Sequence, residues 1–449
     1  MKTSQVMIQE GRVAARGFCL AAIVLMIFCG SAGAASPVIA PGINTCGIVN
    51  HTGILWYSGQ IDGDRVVWGE HTDNSSIYSG WLYNITTGEK TPMPPSPSEG
   101  PRRDTWLSNQ YPVSISGNRI VWSQDMNIWM YEISSGKTTS LTTNSGEVTT
   151  YLEHVDPAIS GDVVVWRQRY ITDQDTRNTN IVAYTIPSGK TTVVSDGKWE
   201  KTNASIEGDR VVWEDSRKDR RDRDIYLYNL TTRQEQVVCN APDTQREPKI
   251  SGNRIVWDDH RTGKWDVYAY DIPTGKETLI ATGPEEQESS AISGDRIVWM
   301  EFPSGLSNNP GDENSRLMLY DLSNRKEYQV FENIPGMFAP AIAGNRIIYL
   351  DLAHIAPGER YIQRQDPVQE LSLFTLDPGT FPVSKPNAMI PSDKTVIVPE
   401  LPAGEKNSRT PASTGQQAAL LPEGFPPRVI FGAGILAVLA ILGRRSGKK

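Results

Sequence analysis

The chain has 449 residues, enough for more than one ordinary domain. Its formal net charge is −8, which argues against a nucleic-acid binder, because such a surface must be net positive to neutralise phosphates. Twelve Trp and sixteen Tyr among many Val and Ile favour strands over helices.

Residues 1–35 read as a signal peptide. Lys2, Arg12 and Arg16 precede an uncharged, largely apolar run at 17–30, and Ala32-Gly33-Ala34 supplies the small residues that signal peptidase requires. Cleavage after Ala34 or Ala35 is the reading, with an uncleaved anchor as the alternative. Phe28 before Cys29 does not make a lipobox. Only Cys46 and Cys239 then remain in the mature chain. Export permits a disulfide between them, and two separate small core residues are the other option. Two thiols build neither a cysteine framework nor a metal site.

Residues 50–398 carry an internal repeat. IDGDRVVW begins at Ile61, ISGNRIVW at Ile115, ISGDVVVW at Ile159 and IEGDRVVW at Ile206. ISGNRIVW follows at Ile250, ISGDRIVW at Ile292 and the weaker IAGNRIIY at Ile342, so the glycines recur in steps of 42 to 54 residues. Gly followed by Asp or Asn is a favoured two-residue turn between antiparallel strands, because Gly accepts positive φ freely. A third strand with an aromatic at its fourth position follows each time, as in IYLYNL at Ile225 and VYAYDI at Val267. A Gly-containing turn and a fourth strand complete each unit.

Four antiparallel strands per forty-odd residues is one blade of a β-propeller. A lone blade leaves its faces bare, and stacking blades about an axis buries them and protects the strand edges. The expected fold is all-β, a propeller of seven four-stranded blades, with six or eight as alternatives. Residues 388–398 are expected to supply the last strand of blade 7 or a degenerate eighth copy. Trp68, Trp122, Trp166, Trp213, Trp257 and Trp299 share one position in the repeat, which points to packing between blades, not to a binding platform.

The repeats resemble the TolB-type propeller repeat. Asp224-Ile225-Tyr226-Leu227-Tyr228 and Asp266-Val267-Tyr268-Ala269-Tyr270 carry the likeness best. Ile-Ser-Gly-Asp stands where that family often has Ser-Pro-Asp-Gly, and the family's namesake has six blades. The resemblance implies a face that binds protein segments.

From residue 399 to 427 the chain is rich in Pro, Ala, Ser, Thr, Gly and Gln, which reads as a flexible stalk. Residues 428–449 contain an uncharged run at 429–443 followed by a basic tail. That run is short for a membrane span, which takes about twenty residues, and the positive charges after it place that end on the cytoplasmic side. Preceded by Pro422-Glu423-Gly424-Phe425-Pro426, the ending resembles the signals read by archaeosortases, which join a protein to a surface lipid; the alternative is a simple tail anchor. Sequons at Asn50, Asn74, Asn84, Asn203 and Asn229 suit an exported, archaeal glycoprotein.

No catalytic motif, metal-ligand spacing or cofactor fingerprint is present. Loops between strands two and three share a face with the loops between blades, and these carry the charge. Asp215, Arg217, Arg220 and Arg221 in one loop, and Asp258, Asp259, His260 and Arg261 in the next, are the candidate binding residues. The competing reading is a set of solvated, self-paired charges. The functional expectation is an envelope-anchored extracellular module that binds a protein or glycan through this face. The alternative is an extracellular hydrolase or lyase acting on polysaccharide at the central channel.

Overall fold

Each repeat folds about its glycine turn. Gly63, Gly117, Gly161, Gly208, Gly252, Gly294 and Gly344 all take φ between +54° and +59°, the left-handed region that a Cβ penalises. The arms of each turn pair as antiparallel strands. In blade 5 these are Gln245–Ser251 and Arg254–Asp259, followed by Asp266–Asp271 and Lys276–Ala281. Ile255, Val256 and Trp257 are all fully buried. Alternation along the strand sends Val256 to one face and its neighbours to the other, so both faces of the sheet are covered.

The computed structural model describes residues 44–51, 59–71, 78–94, 113–124, 126–143, 151–171, 178–197, 199–219, 221–302, 315–332, 338–353 and 368–376. They form seven sheets of four strands. Blades 1 to 6 span 60–92, 113–140, 151–195, 201–239, 245–281 and 286–332, and blade 7 takes three strands from 338–375. The first strand of every blade neighbours the first strands of the blades beside it, and blade 7 meets blade 1. The first strands are therefore innermost and the ring is closed.

The repeated tryptophans lie between blades, as the sequence predicts. All six are at most 3% exposed. Trp257 packs with Ile225, Leu227 and Val238 of blade 4, and Trp68 packs with Ile348, Leu350, Leu371 and Leu373 of blade 7.

Closure differs from the expectation. The outer strand of blade 7 is Asn44–His51, antiparallel to Val368–Thr375 with Cys46 opposite Leu373. The place expected for residues 388–398 is thus filled from the other end of the chain. The propeller begins before residue 50, and residues 388–398 lie outside the described set. Pairing the two ends of the repeat array in one sheet removes the free edges that an open array would leave.

A second device holds the ring on the face of the short hairpins. The arginine after each glycine turn reaches the turn of the next blade. Arg65, Arg119, Arg210, Arg254, Arg296 and Arg346 donate to the carbonyl oxygens of Gly117, Gly161, Gly252, Gly294, Gly344 and Gly63 at 2.6–3.5 Å. Five of the six also bond the Asp or Asn beside that glycine. The serine before the glycine works in the same direction. Ser116, Ser160, Ser251 and Ser293 accept the backbone N–H of Gly161, Gly208, Gly294 and Gly344 at 2.9–3.0 Å. The residues that make the repeat recognisable are thus links between neighbours.

Candidate functional site

On the opposite face, the second strands of blades 4 and 5 run past their tryptophans, as Arg210–Asp219 and Arg254–Asp259. A strand repeats its facing every two residues, so Asp215 and Asp259 lie on the same side as the indoles. Both are fully buried and accept Nε1–H of Trp213 at 3.0 Å and of Trp257 at 2.8 Å. Arg217 and Arg261 fold back onto them at 2.5 Å. Their guanidinium carbons lie 3.9 Å and 4.1 Å from the ring centroids of Tyr226 and Tyr268. Glu235 and Glu277 complete the two clasps at 2.6 Å and 2.7 Å. Burial opposes these arginine charges, but the carboxylate hydrogen bonds outweigh it and hold both pKa values above the ordinary one. Blades 4 and 5 therefore repeat one Trp–Asp–Arg–Tyr–Glu unit, with its tryptophan, aspartate and tyrosine buried, which anchors the loops from below.

The residues directly after the tryptophans face the other way. Glu214 and Asp258 are fully buried and meet bulges in the innermost strands. The bulged residues Asp156, Asn203, Glu247 and Ser289 have φ from +51° to +58°. Glu214 accepts Asn203 Nδ2 at 2.5 Å within its own blade and the backbone N–H of Glu247 in blade 5 at 2.6 Å. Asp258 accepts the N–H groups of Ser289 and Ser290 in blade 6 at 2.7 Å and 3.1 Å. Burial and the Glu247 carboxylate push the Asp258 pKa up, while Arg246 and the serine hydrogen bonds pull it back. Arg246 pairs with Glu288 at 2.8 Å, and its guanidinium carbon stands 3.7 Å from the centroid of Trp265. Through Arg223, Glu200 and Arg167 the network runs on to Asp156 in blade 3.

The solvent-facing groups sit above this scaffold. Arg221 is exposed, and its carbonyl oxygen accepts Thr244 Oγ1 at 2.8 Å. His260 Nδ1 lies 2.8 Å from Asp243 Oδ2, which lowers the Asp243 pKa, and the imidazole packs 4.9 Å from Trp265. Trp199, on the loop between blades 3 and 4, is 36% exposed. Asp243 and Thr244 join the loops of blades 4 and 5 into one surface. Of the eight candidate residues, Arg221 and His260 present side chains on that surface. Asp215, Asp258 and Asp259 are interior, Arg217 and Arg261 are clamped in the clasps, and Arg220 lies outside the described residues. Glu214, Arg246, Glu288 and Trp265 were missed in the sequence. The first three fall at or opposite bulges that the repeat pattern hides, and Trp265 stands outside the repeated position.

The sequons divide by position. Asn84 and Asn229 end third strands, where their Oδ1 atoms accept backbone N–H groups of the following turns at 2.7–3.0 Å. Asn203 instead spends its Nδ2 on Glu214. The backbone of Asn50 lies in the closing strand, whereas Asn74 and the motif at 422–426 lie outside the described residues, as do 1–35 and 399–449. Cys239 is a free, buried thiol whose pKa burial raises. Among the described residues, no group of three or more His, Cys, Asp or Glu is placed to hold a metal, and no helix is long and apolar enough to cross a membrane.

No protein-family model matches the chain, and no curated protein matches it. Solved structures do match. A puromycin-hydrolysing peptidase of Mycobacterium tuberculosis aligns at 13% identity and TM-score 0.52, over 67% of this chain and 50% of that one. An oligogalacturonate lyase of Vibrio parahaemolyticus aligns at 10% identity and TM-score 0.52, over 77% of this chain and 97% of that one. A putative TolB of Agrobacterium tumefaciens aligns at 14% identity over 67% of this chain and 98% of that one, with a TM-score of 0.42. The chain spans half the length of the peptidase it matches. Identities this low speak to architecture and not to chemistry. The sheets show an all-β propeller of seven four-stranded blades, and the likenesses to the peptidase and the lyase agree with that fold.

Proposed function

We propose that this chain is an envelope-anchored extracellular propeller that binds a protein or glycan partner through its loop-rich face. The observation that carries the reading is the surface formed by Trp199, Arg221 and the His260–Trp265 pair, raised on loops whose roots are pinned by the two clasps on buried Asp215 and Asp259. Tryptophan and arginine on a rigid support are the side chains that dominate binding energy at interfaces. A pre-ordered base lowers the entropy lost on association. The TolB-like repeat adds the implication that such a face takes protein segments.

The test is binding of the full chain to a panel of envelope glycans and surface proteins, beside W199A and R221A. A partner that binds the native chain and loses about tenfold or more in affinity in each variant, with unchanged Tm, supports the reading. Depolymerisation of a polysaccharide by the native chain would replace it with the enzymatic alternative, and equal binding by both variants would move the site elsewhere.

A further inference from the structure

The arginine belt on the hairpin face has one gap. Six junctions between blades carry an arginine at the first position of the second strand, and blade 3 carries Val163 there. The register fixes the equivalence: Val163 pairs with Ser160 as Arg119 pairs with Ser116, Arg254 with Ser251 and Arg296 with Ser293. The turn it faces is nevertheless built for an arginine. Gly208 has the φ of its counterparts, +58°, and its N–H is held by Ser160 at 3.0 Å, as in three other junctions. The carbonyl oxygen of Gly208 and the carboxylate of Asp209 are thus presented like the acceptors elsewhere in the ring. Neither has a hydrogen-bond donor among the described residues, and Asp209 has no ion pair there. Where the arginine would lie there is a cleft of about 470 Å³, with Val163, Ala183 and Leu230 as its apolar lining.

We propose that this gap is a binding subsite for a guanidinium group, taken from an arginine side chain of a partner peptide. The ring supplies its own template. At the junction from blade 4 to blade 5, Arg210 Nη1 lies 3.0 Å from Gly252 O and 2.6 Å from Asn253 Oδ1. At the junction from blade 2 to blade 3, Arg119 makes the same two bonds at 3.1 Å and 2.6 Å. An incoming guanidinium reproduces that pair of bonds, with the full charge of Asp209 as one acceptor. Its methylene stem lies along Val163 and Ala183, as the stem of an in-chain arginine would. Lys190 and Arg233 also line the cleft, so a peptide with a carboxylate next to its arginine is preferred over a bare cation. The site is on the face opposite the loops and is independent of the function proposed above.

The experiment follows the Val163 and Ala183 methyl signals of the full chain by NMR. The probe is acetyl-Asp-Arg-Asp-amide, with the citrulline peptide as its uncharged control. Saturable shifts with the arginine peptide and none with citrulline are expected. V163R places the ring's own arginine in the gap and abolishes the response at Ala183, while its Tm equals or exceeds that of the native chain. D209N keeps the cleft open and weakens binding by about tenfold, the loss expected for one charge-assisted hydrogen bond. If V163R fails to fold, the D209N result decides alone. Absence of saturation, equal binding of citrulline, or unchanged affinity in D209N overturns the proposal.

Discussion

The two faces of the ring use the same residue types in opposite ways. On the hairpin face, arginines and serines at the edges of the turns make links of one or two hydrogen bonds across the blade junctions, and most of these links are open to water. On the loop face, arginines and acids are drawn inside and satisfied several times over, as in Arg261, which bonds Asp259 and Glu277 and lies over Tyr268. An exposed ion pair contributes up to about 1 kcal/mol, whereas removing one partner of a buried pair costs about 3–5 kcal/mol. The hairpin face therefore registers the blades, and the loop face carries few, deep anchors on which variable loops can stand.

The sharpest way to break this contrast is to remove one anchor. D259A deprives Trp257 Nε1 and Arg261 of their shared acceptor and is expected to cost about 3–5 kcal/mol in urea unfolding. A loss near that of a surface pair would mean that the two faces do not differ.

The next effect depends on pH. His154 accepts Trp166 Nε1–H through Nδ1 at 2.9 Å, and burial lowers its pKa from 6.5 to about 4. A base with a depressed folded pKa is neutral in the fold, so its contribution is complete above pH 6.5. It is lost as pH falls towards 4, by up to about 3 kcal/mol. Gln287 holds Trp299 from the equivalent position in blade 6 at 2.7 Å. H154Q should accordingly keep the indole bond and flatten the acid limb of a stability–pH curve. An unchanged acid limb would exclude His154 as its source.

R346A tests the other face. It removes the arginine link from blade 7 to the Gly63 turn of blade 1 and is expected to cost about 1 kcal/mol, read as a drop in Tm. A cost equal to that of D259A would make the belt, not the clasps, the main fastening. The smallest effect is chemical and not energetic. If the chain is glycosylated, peptide mass spectrometry should find occupancy at Asn84 and Asn229, whose Nδ2 atoms lie at hairpin ends, and little at Asn203, whose Nδ2 is engaged by Glu214. Full occupancy at Asn203 would show that the channel-side network forms without that bond.

The repeat, its turns and its tryptophans were legible because each is a local pattern stated seven times, or nearly so. The closing strand was not. Outer strands are the least patterned, as the mostly exposed Glu89–Pro92 of blade 1 shows, so Asn44–His51 has nothing to mark it as a partner of Val368–Thr375. The candidate site was half legible. Charge after the tryptophans was visible, but its burial turned on where the second strand ends. Ending it at Trp257 leaves Asp258 and Asp259 in a loop, whereas continuing it to Asp259 puts one acid beside the indole and the other against the next blade. The belt was hidden for a different reason: Arg254 and Ser251 look like ordinary surface residues until the turn of blade 6 is brought beside them.

The strand Asn44–His51 also sets an order of events during synthesis. It leaves the ribosome before any blade is complete, yet its only pairing partner among the described residues is Val368–Thr375, made after six blades. Through that interval its backbone N–H and C=O groups have no native mate, and the ring is an open horseshoe with an edge at each end. Closing so long a loop comes late and slowly, and an unpaired edge that waits is an opening for pairing between chains. The last step of folding is therefore the one most exposed to crowding, and a chain released early would lack the strand that lets the first one dock.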